Sequence, residues 1–362
     1  MPINLGSLCL PLDATIQAAI SQIDKNGKAI VLVTDAEHHL IGTVSDGDIR
    51  RAILNGLKME TPLREILDRK HSTIYPKPVT AQVGTTITEL INIMKERVVH
   101  QIPIMDQDER VVDLVTWEDL LPEQKLPLQA VIMAGGFGTR MRPLTENLPK
   151  PMLPVDGKPL MELIVERLRN VGIKQVNVTT HYKPEKIIEH FGNGSKFGVN
   201  LTYVHEDQPL GTGGGLGLMT PPENTILVVN GDILTQVDFR AMLIFHQEHK
   251  AMMTVAVNQF GFKVPYGVVQ CEGEIVKDLL EKPQYNFFVN AGIYLLEPQV
   301  FRYISNRKKF NMTDLIQWLI KADEKVVSFP ILEYWMDIGE RSEYEKAKND
   351  SKARKKSHDL KK

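Results

Sequence analysis

Two short stretches of the chain gather residue types suited to holding polyanions. Gly135-Gly-Phe-Gly-Thr-Arg140 leaves an aliphatic run, Ala130-Val-Ile-Met-Ala134, and Lys150 follows inside Pro149-Lys-Pro-Met-Leu-Pro154. Glycine amides, one guanidinium and one ammonium in a single segment make a cradle for phosphate groups. The prolines fix φ around Lys150 and limit where its ammonium can wander. Two familiar phosphate loops are excluded. Gly-x-Gly-x-x-Gly, counted from Gly136, needs a third glycine where Met141 stands, and Gly-x-x-x-x-Gly-Lys-Ser/Thr fails at the same residue.

A cradle of this kind needs rigid elements behind it, and the sequence supplies them by alternation. The periodicity predicts a helix over Leu160–Val171 before a strand Gln175–Thr180, and a helix over Pro184–Phe191 before a strand Asn200–Val204. A strand Thr225–Val229 precedes a helix Phe239–His249, which is followed by a strand Met252–Val257. Such alternation implies an α/β, Rossmann-like domain with a mainly parallel mixed sheet. Ligands of such sheets bind at the carboxyl ends of strands, where this glycine turn lies.

The stretch Ala134–Thr145 together with Pro149–Pro154 resembles the signature of the sugar-1-phosphate nucleotidylyltransferases, and further elements follow in the family's order over about residues 129–348. Gln208-Pro-Leu-Gly-Thr-Gly-Gly-Gly215 is similar to the glycine loop that faces the base, and Val229-Asn-Gly-Asp232 to the first metal site. Pro265-Tyr-Gly-Val-Val269, Glu281-Lys-Pro283 and Asn290-Ala-Gly-Ile-Tyr294 are similar to the sugar-binding elements, and Trp335-Met-Asp-Ile-Gly339 to the second metal segment. The resemblance implies in-line attack of a sugar phosphate oxygen on the α-phosphorus of a nucleoside triphosphate, with pyrophosphate leaving. It implies nucleotide contacts from Gly135, Gly136, Gly138, Thr139, Glu206 and Gly211, and catalytic cations at Arg140, Lys150 and Lys282. It places Mg²⁺ on Asp232 and Asp337, and the sugar against Gly267, Glu281 and Asn290. Substrate partners are thus a nucleoside triphosphate and a hexose-1-phosphate.

Base and sugar are less legible. A carboxylate only accepts hydrogen bonds, so Glu206 suits the adjacent N1–H and N2–H donors of guanine, and GTP is favoured. Were Gln208 the reader instead, UTP or dTTP would fit, and CTP stays open. The sugar is mannose or glucosamine, the latter resembling enzymes of nonulosonic acid synthesis. A second functional class, a nucleotide sensor that only binds, has no need of Arg140, Lys150, Asp232, Lys282 and Asp337 together.

The first third repeats itself. Shifted so that Thr15-Ile16 falls on Thr86-Ile87, the chain lays Val31, Val33 and Asp35 on Ile102, Ile104 and Asp106, and Ser45 and Asp48 on Thr116 and Asp119. Ser45 and Thr116 each stand three residues before an Asp, a capping-box spacing at a helix start. The pattern resembles a tandem pair of cystathionine β-synthase (CBS) domains, an α+β module, over about residues 4–122. That resemblance makes Ser45, Asp48, Thr116 and Asp119 candidate ligand residues for an adenine nucleotide; the alternative is that they only cap helices and the pair serves assembly. The parsing is therefore 1–60 and 61–122 for the two copies, 123–128 for a linker, 129–348 for the transferase domain and 349–362 for a flexible basic tail.

Composition agrees with an ordinary folded protein. Of 362 residues, 43% are hydrophobic and 24% charged, and 43 basic against 45 acidic side chains leave a net charge of −2. That balance carries no bulk signal for nucleic acid or an anionic membrane. Cys9 and Cys271 stand far apart in no metal-ligand spacing, and no signal peptide or spanning segment is apparent. The expectation is a cytoplasmic homo-oligomer with no nucleic-acid or membrane partner.

Overall fold

The computed structural model describes residues 5–70, 76–120, 126, 128–305 and 308–359, with side chains to 350 apart from Glu118. The chain forms two compact units, Met1–Gln124 and Lys125–Lys362. The expected linker 123–128 lies outside the described residues except for Leu126 and Leu128, both buried.

In the first unit each repeat builds a three-stranded sheet. Cys9–Leu10 runs parallel to Ile30–Thr34, which pairs antiparallel with Leu40–Ser45. Ala81–Gln82, Gln101–Met105 and Val111–Thr116 repeat that plan. The helices Ile16–Asn26 and Ile87–Arg97 start at Thr15 and Thr86, whose hydroxyls accept from the third helical amide. Neither copy closes its core alone: Leu8, Ile30 and Leu32 pack with Met105, Val111 and Leu114 in one cluster. The division at residue 60 needs correction. Helix Leu63–Lys70 packs on the first copy, because Leu63 is buried, the Leu67 side chain lies over Gly42, and the Lys70 ammonium donates to Thr43 O at 3.0 Å.

The second unit is built on a seven-stranded sheet. Its order is Asn200–His205, Gln175–Thr180, Gln129–Met133, Ile226–Asn230, Gln284–Leu296, Met253–Lys263, Val326–Pro330. The first four strands are parallel, Gln284–Leu296 is antiparallel to both neighbours, and the last two strands are parallel again. Continuous aliphatic runs such as Val131 and Ile132 or Val228 and Val229 are wholly buried, as a sheet covered on both faces requires. The sheet is thus mixed with a mainly parallel half, as the alternation predicts.

Two elements differ from the sequence reading. The strand expected to stop at Val257 continues to Lys263, paired with Gln284–Leu296, and carries the hairpin Val268–Glu272 and Ile275–Leu280 beyond the sheet. The expected flexible tail from 349 is, as far as Asp359, the end of helix Arg341–Asp359. Its sequence explains why: Ala, Lys, Glu and Arg dominate and no glycine or proline interrupts. Among the described residues no helix is long and apolar enough to cross a membrane.

Candidate active site

The strands Gln129–Met133 and Ile226–Asn230 end side by side, and the chain leaving each forms a cavity of about 230 Å³. Gly135 and Gly136 come from the first strand end, Asp232 from the second, and Lys150 from a short 3-10 turn after Pro149. Lys150 is only 7% exposed, and its ammonium is ion-paired with Asp232 Oδ2. The loop geometry depends on glycine at 138, where φ is +62° and a Cβ would lie 3.2 Å from that of Lys150. Thr145, which sequence reasoning missed, donates its hydroxyl to Gly138 O at 2.8 Å and braces the turn.

Asp232 meets the second expected metal residue through a two-stranded ladder. Ile233–Thr235 pairs antiparallel with Trp335–Asp337 so that Ile233 faces Asp337, and Ile338 N donates to Asp232 O at 3.0 Å. Burial, then the charge of Asp232, pushes the Asp337 carboxyl up to about 6, while Lys150 and Arg140 pull it down. Asp337 Oδ1 is buried and has no hydrogen-bond partner. Arg140 reaches the same corner: a Cβ built at Gly339 would lie 3.6 Å from Arg140 Nη1 and 3.7 Å from Asp337 Oδ1, so all three residues meet there.

This donor set fits a hard divalent ion. Among the described residues no group of three or more His, Cys, Asp or Glu is poised for a metal. Mg²⁺ needs only one or two carboxylates when substrate phosphates and water complete its shell. A buried carboxylate oxygen without a partner, raised in pKa by burial and by a second carboxylate, is the feature a cation would relieve.

Glu206 lies under both glycine loops and is 4% exposed. A side chain at Gly135 or Gly215 would come within 3.0 or 2.9 Å of its Oε1. Its Oε2 accepts from Leu210 N at 3.1 Å, and it is also hydrogen-bonded to the Thr179 side chain. Burial raises its pKa against those hydrogen bonds. Each carboxylate oxygen can accept more than one bond, so Glu206 can both brace the loop and face a ligand. Thr179, Asn230 and Asn311 also line the cavity and were not among the expected site residues. Asn311 caps helix Met312–Lys321 in a capping box with Asp314, the one signal that could have found it. Asn230 Oδ1 is buried without a partner.

The structure brings together Gly135, Gly136, Lys150, Glu206, Gly211 and Asp232 around the cavity. Gly138, Thr139, Arg140 and Asp337 stand behind or beside it. Gly267, Glu281 and Lys282 do not join it. They lie on the extended hairpin, with the Glu281 and Lys282 side chains 71% and 56% exposed. Asn290 stands where that hairpin meets the sheet, and its Oδ1 accepts from Gly292 N at 3.0 Å.

In the first unit, Asp48 is committed within the fold. Burial alone would raise its carboxyl, but Lys70 and Arg51 hold it below the usual range, and it accepts from Ser45 N and Oγ at 2.9 Å each. Asp119 accepts from Thr116 Oγ1 at 2.7 Å and pairs with Lys28 of the other copy at 2.7 Å. A cavity of about 390 Å³ lies beside the first copy, lined by Gly42, Thr43, Arg64 and Lys70 among others, but not by Ser45 or Asp48.

Comparison with known proteins accounts for both units. Residues 129–354 match the nucleotidyl transferase family, and residues 6–55 and 72–125 each match the CBS domain. A Mycobacterium tuberculosis mannose-1-phosphate guanylyltransferase is 35% identical over 219 residues, covering 59% of this chain and 61% of the relative. A Schizosaccharomyces pombe mannose-1-phosphate guanyltransferase is 32% identical over 227 residues, 60% of this chain and 62% of the relative. The match therefore spans less than two thirds of these relatives' length. In fold, the chain is similar to a Bacillus anthracis structure described as a glucose-1-phosphate thymidylyltransferase in complex with sucrose, with a TM-score of 0.51 at 24% identity, covering 61% of this chain and 94% of that one.

Proposed function

The chain belongs to the nucleotidyl transferase family, and from that premise we propose that it transfers GMP from GTP to a hexose-1-phosphate, most directly mannose-1-phosphate, releasing pyrophosphate. The observation that carries this reading is the pairing of buried Lys150 with partly exposed Asp232 under a glycine loop, with the unpartnered Asp337 Oδ1 beside it. The relatives named above are mannose-1-phosphate guanylyltransferases, and a buried carboxylate at Glu206 suits the guanine edge.

The reaction brings two polyanions together while charge grows on the departing pyrophosphate. Positioning and cationic neutralisation carry such a transfer, with little covalent work for the protein. The Gly135 and Gly136 amides and Arg140 hold the triphosphate. Lys150, fixed by burial, presents one charge to the reacting phosphate. Asp232 and Asp337 would hold Mg²⁺, which when bound supplies charge neutralisation on the phosphate oxygens. Lys282 meets the phosphate of the sugar and Glu281 its hydroxyl or amino groups. A phosphate is already anionic, so no general base is required. The CBS pair is the regulatory or assembly module, and adenine nucleotides are its first candidate ligands.

The test is pyrophosphate release from four nucleoside triphosphates crossed with hexose-1-phosphates that include mannose-1-phosphate and glucosamine-1-phosphate. GTP with mannose-1-phosphate is expected to be fastest. A clear preference for UTP overturns the base assignment, and a preference for glucosamine-1-phosphate overturns the sugar.

A further inference from the structure

The glycine loop that carries Gly211 is docked on a segment a hundred residues further along the chain, Phe310 to Met312, where helix Met312–Lys321 begins. Phe310 N donates to Leu210 O at 2.7 Å, and Gly213 N to Phe310 O at 2.9 Å. Met312 N donates to Thr212 Oγ1 at 3.0 Å, and Thr212 N approaches Asn311 Oδ1 to 3.5 Å. Two of the loop's glycines are accounted for by this contact. A Cβ at Gly211, where φ is +81°, would lie 2.6 Å from Asn311 Oδ1, and one at Gly213 would lie 3.0 Å from Phe310 Cδ1. The segment is itself anchored, since Phe310 is buried and packs on Trp318 with ring centroids 5.0 Å apart.

The same segment reaches the cavity. Asn311 lines it together with Glu206 and Gly211. Its N and Nδ2 donate to Asp314 Oδ2 at 2.8 and 3.1 Å, which fixes the side chain. The loop in turn holds Glu206, because Leu210 N donates to its Oε2 at 3.1 Å. A connected path thus runs from the helix start through the loop to the carboxylate. Resting on the function proposed above, in which Glu206 takes the guanine edge, we propose that Asn311 is a positioning residue for base recognition. Its amide holds Gly211 and Thr212 in place, and through them sets where the loop and Glu206 meet the base. The pair Lys150–Asp232 is held separately, by the turn after Pro149 and by the ladder of Ile233–Thr235 with Trp335–Asp337, so the effect is confined to the base. Groups ordered in advance need no reordering when a ligand arrives, and loosening them weakens recognition.

Asn311→Ser tests this. Serine caps a helix as well as asparagine does but is too short to hold the loop, so the variant separates a helix cap from a positioning contact. It is expected to melt with the wild-type protein and to keep kcat and KM for the sugar phosphate within about twofold, while KM for GTP rises about three- to tenfold, the worth of one hydrogen bond. The preference for GTP over UTP should narrow by a similar factor. Unchanged KM for GTP overturns the proposal, and so does an equal loss for both substrates together with a lower Tm. Thr212→Val, which removes the acceptor for Met312 N without touching the cap, should give the same GTP-specific rise, and decides the matter if Asn311→Ser does not fold. Gln317→Gly, an exposed change inside the same helix, should lower Tm and leave KM for GTP alone. A rise there equal to that of Asn311→Ser would assign the effect to helix stability, and the proposal falls. Calorimetric nucleotide binding keeps the two readings apart. A wild-type protein that transfers nothing, or prefers UTP, ends the functional reading; an Asn311→Ser variant whose preference among nucleotides is unaltered ends this one.

Discussion

The two halves of the catalytic unit are made differently. The nucleotide half is set into the sheet: Lys150 and Glu206 are nearly inaccessible, and Asp232 and Asp337 are joined through a backbone ladder. The segment proposed to meet the sugar, with Glu281 and Lys282, rides on an arm, residues 258–290, in which no residue is buried. Burial gives fixed charges in a low dielectric, which strengthens their effect on a reacting phosphate. Exposure leaves the charges of Glu281 and Lys282 screened by water and salt. The difference teaches that the chain places its rigidity around Lys150, Glu206 and the Asp232–Asp337 ladder and leaves the segment that carries Glu281 and Lys282 solvated.

The largest effect should come from the paired carboxylates Asp232 and Asp337. Asp232→Asn with Asp337→Asn is expected to lower Mg²⁺-dependent turnover by at least about 10³-fold, since a metal's charge stabilisation is worth several kcal/mol. Activity that survives in a magnesium titration would put the metal elsewhere and break the comparison at its stronger half. Lys150→Ala comes next, with kcat reduced about 10²- to 10³-fold and nucleotide affinity much less changed. Steady-state kinetics beside equilibrium nucleotide binding separates the two.

A smaller and differently placed loss is expected from Lys282→Ala. One charge-assisted hydrogen bond is worth about 1.5–3 kcal/mol, so KM for the sugar phosphate should rise about 10- to 100-fold with KM for GTP unchanged. Equal loss for both substrates would erase the distinction between the halves.

The smallest effect is on stability. Asp337 titrates near 6 in the folded chain, above its ordinary 3.8. Its contribution is therefore fully present below that ordinary value and is lost as pH rises through about 6. Without divalent ions, Asp337→Asn should melt above the wild-type protein at pH 7–8, with the gap closing on acidification toward pH 4. Added magnesium should narrow the gap at high pH by raising the wild-type Tm alone. A gap independent of pH would mean that Asp337 is not strained by burial.

Much of this was legible in the residues. Helix Pro184–Phe191 and strand Gln175–Thr180 fall where hydrophobic periodicity places them, because a proline start and the alternation of Val176 and Val178 with polar residues are local signals. The glycine turn and Lys150 could be named for the same reason, whereas Asp232 was named only through the family resemblance. Thr179, Asn230 and Asn311 could not, since they meet the cavity from three separate elements and their local signals, such as the Asn311–Asp314 capping box, speak of helix starts and strand ends rather than of a ligand. The continuation of the strand past Val257 was missed because its aromatic alternation, Phe260 and Phe262, follows a glutamine and flanks a glycine that punctuate a local reading.

What the sequence by itself determined is the order of elements, the internal repeat and a set of candidate cations beside a glycine turn, all of which depend on residue type and near spacing. The tertiary structure decided which of those cations share a cavity. It gathered Lys150 with Asp232 and Asp337 through a crossing of strands far apart in the chain, and it carried Lys282 away on a ladder that continues beyond the sheet. The physical reason is that burial, and the pairing of distant backbone segments that creates it, is a property of the folded whole; no window of neighbouring residues contains it.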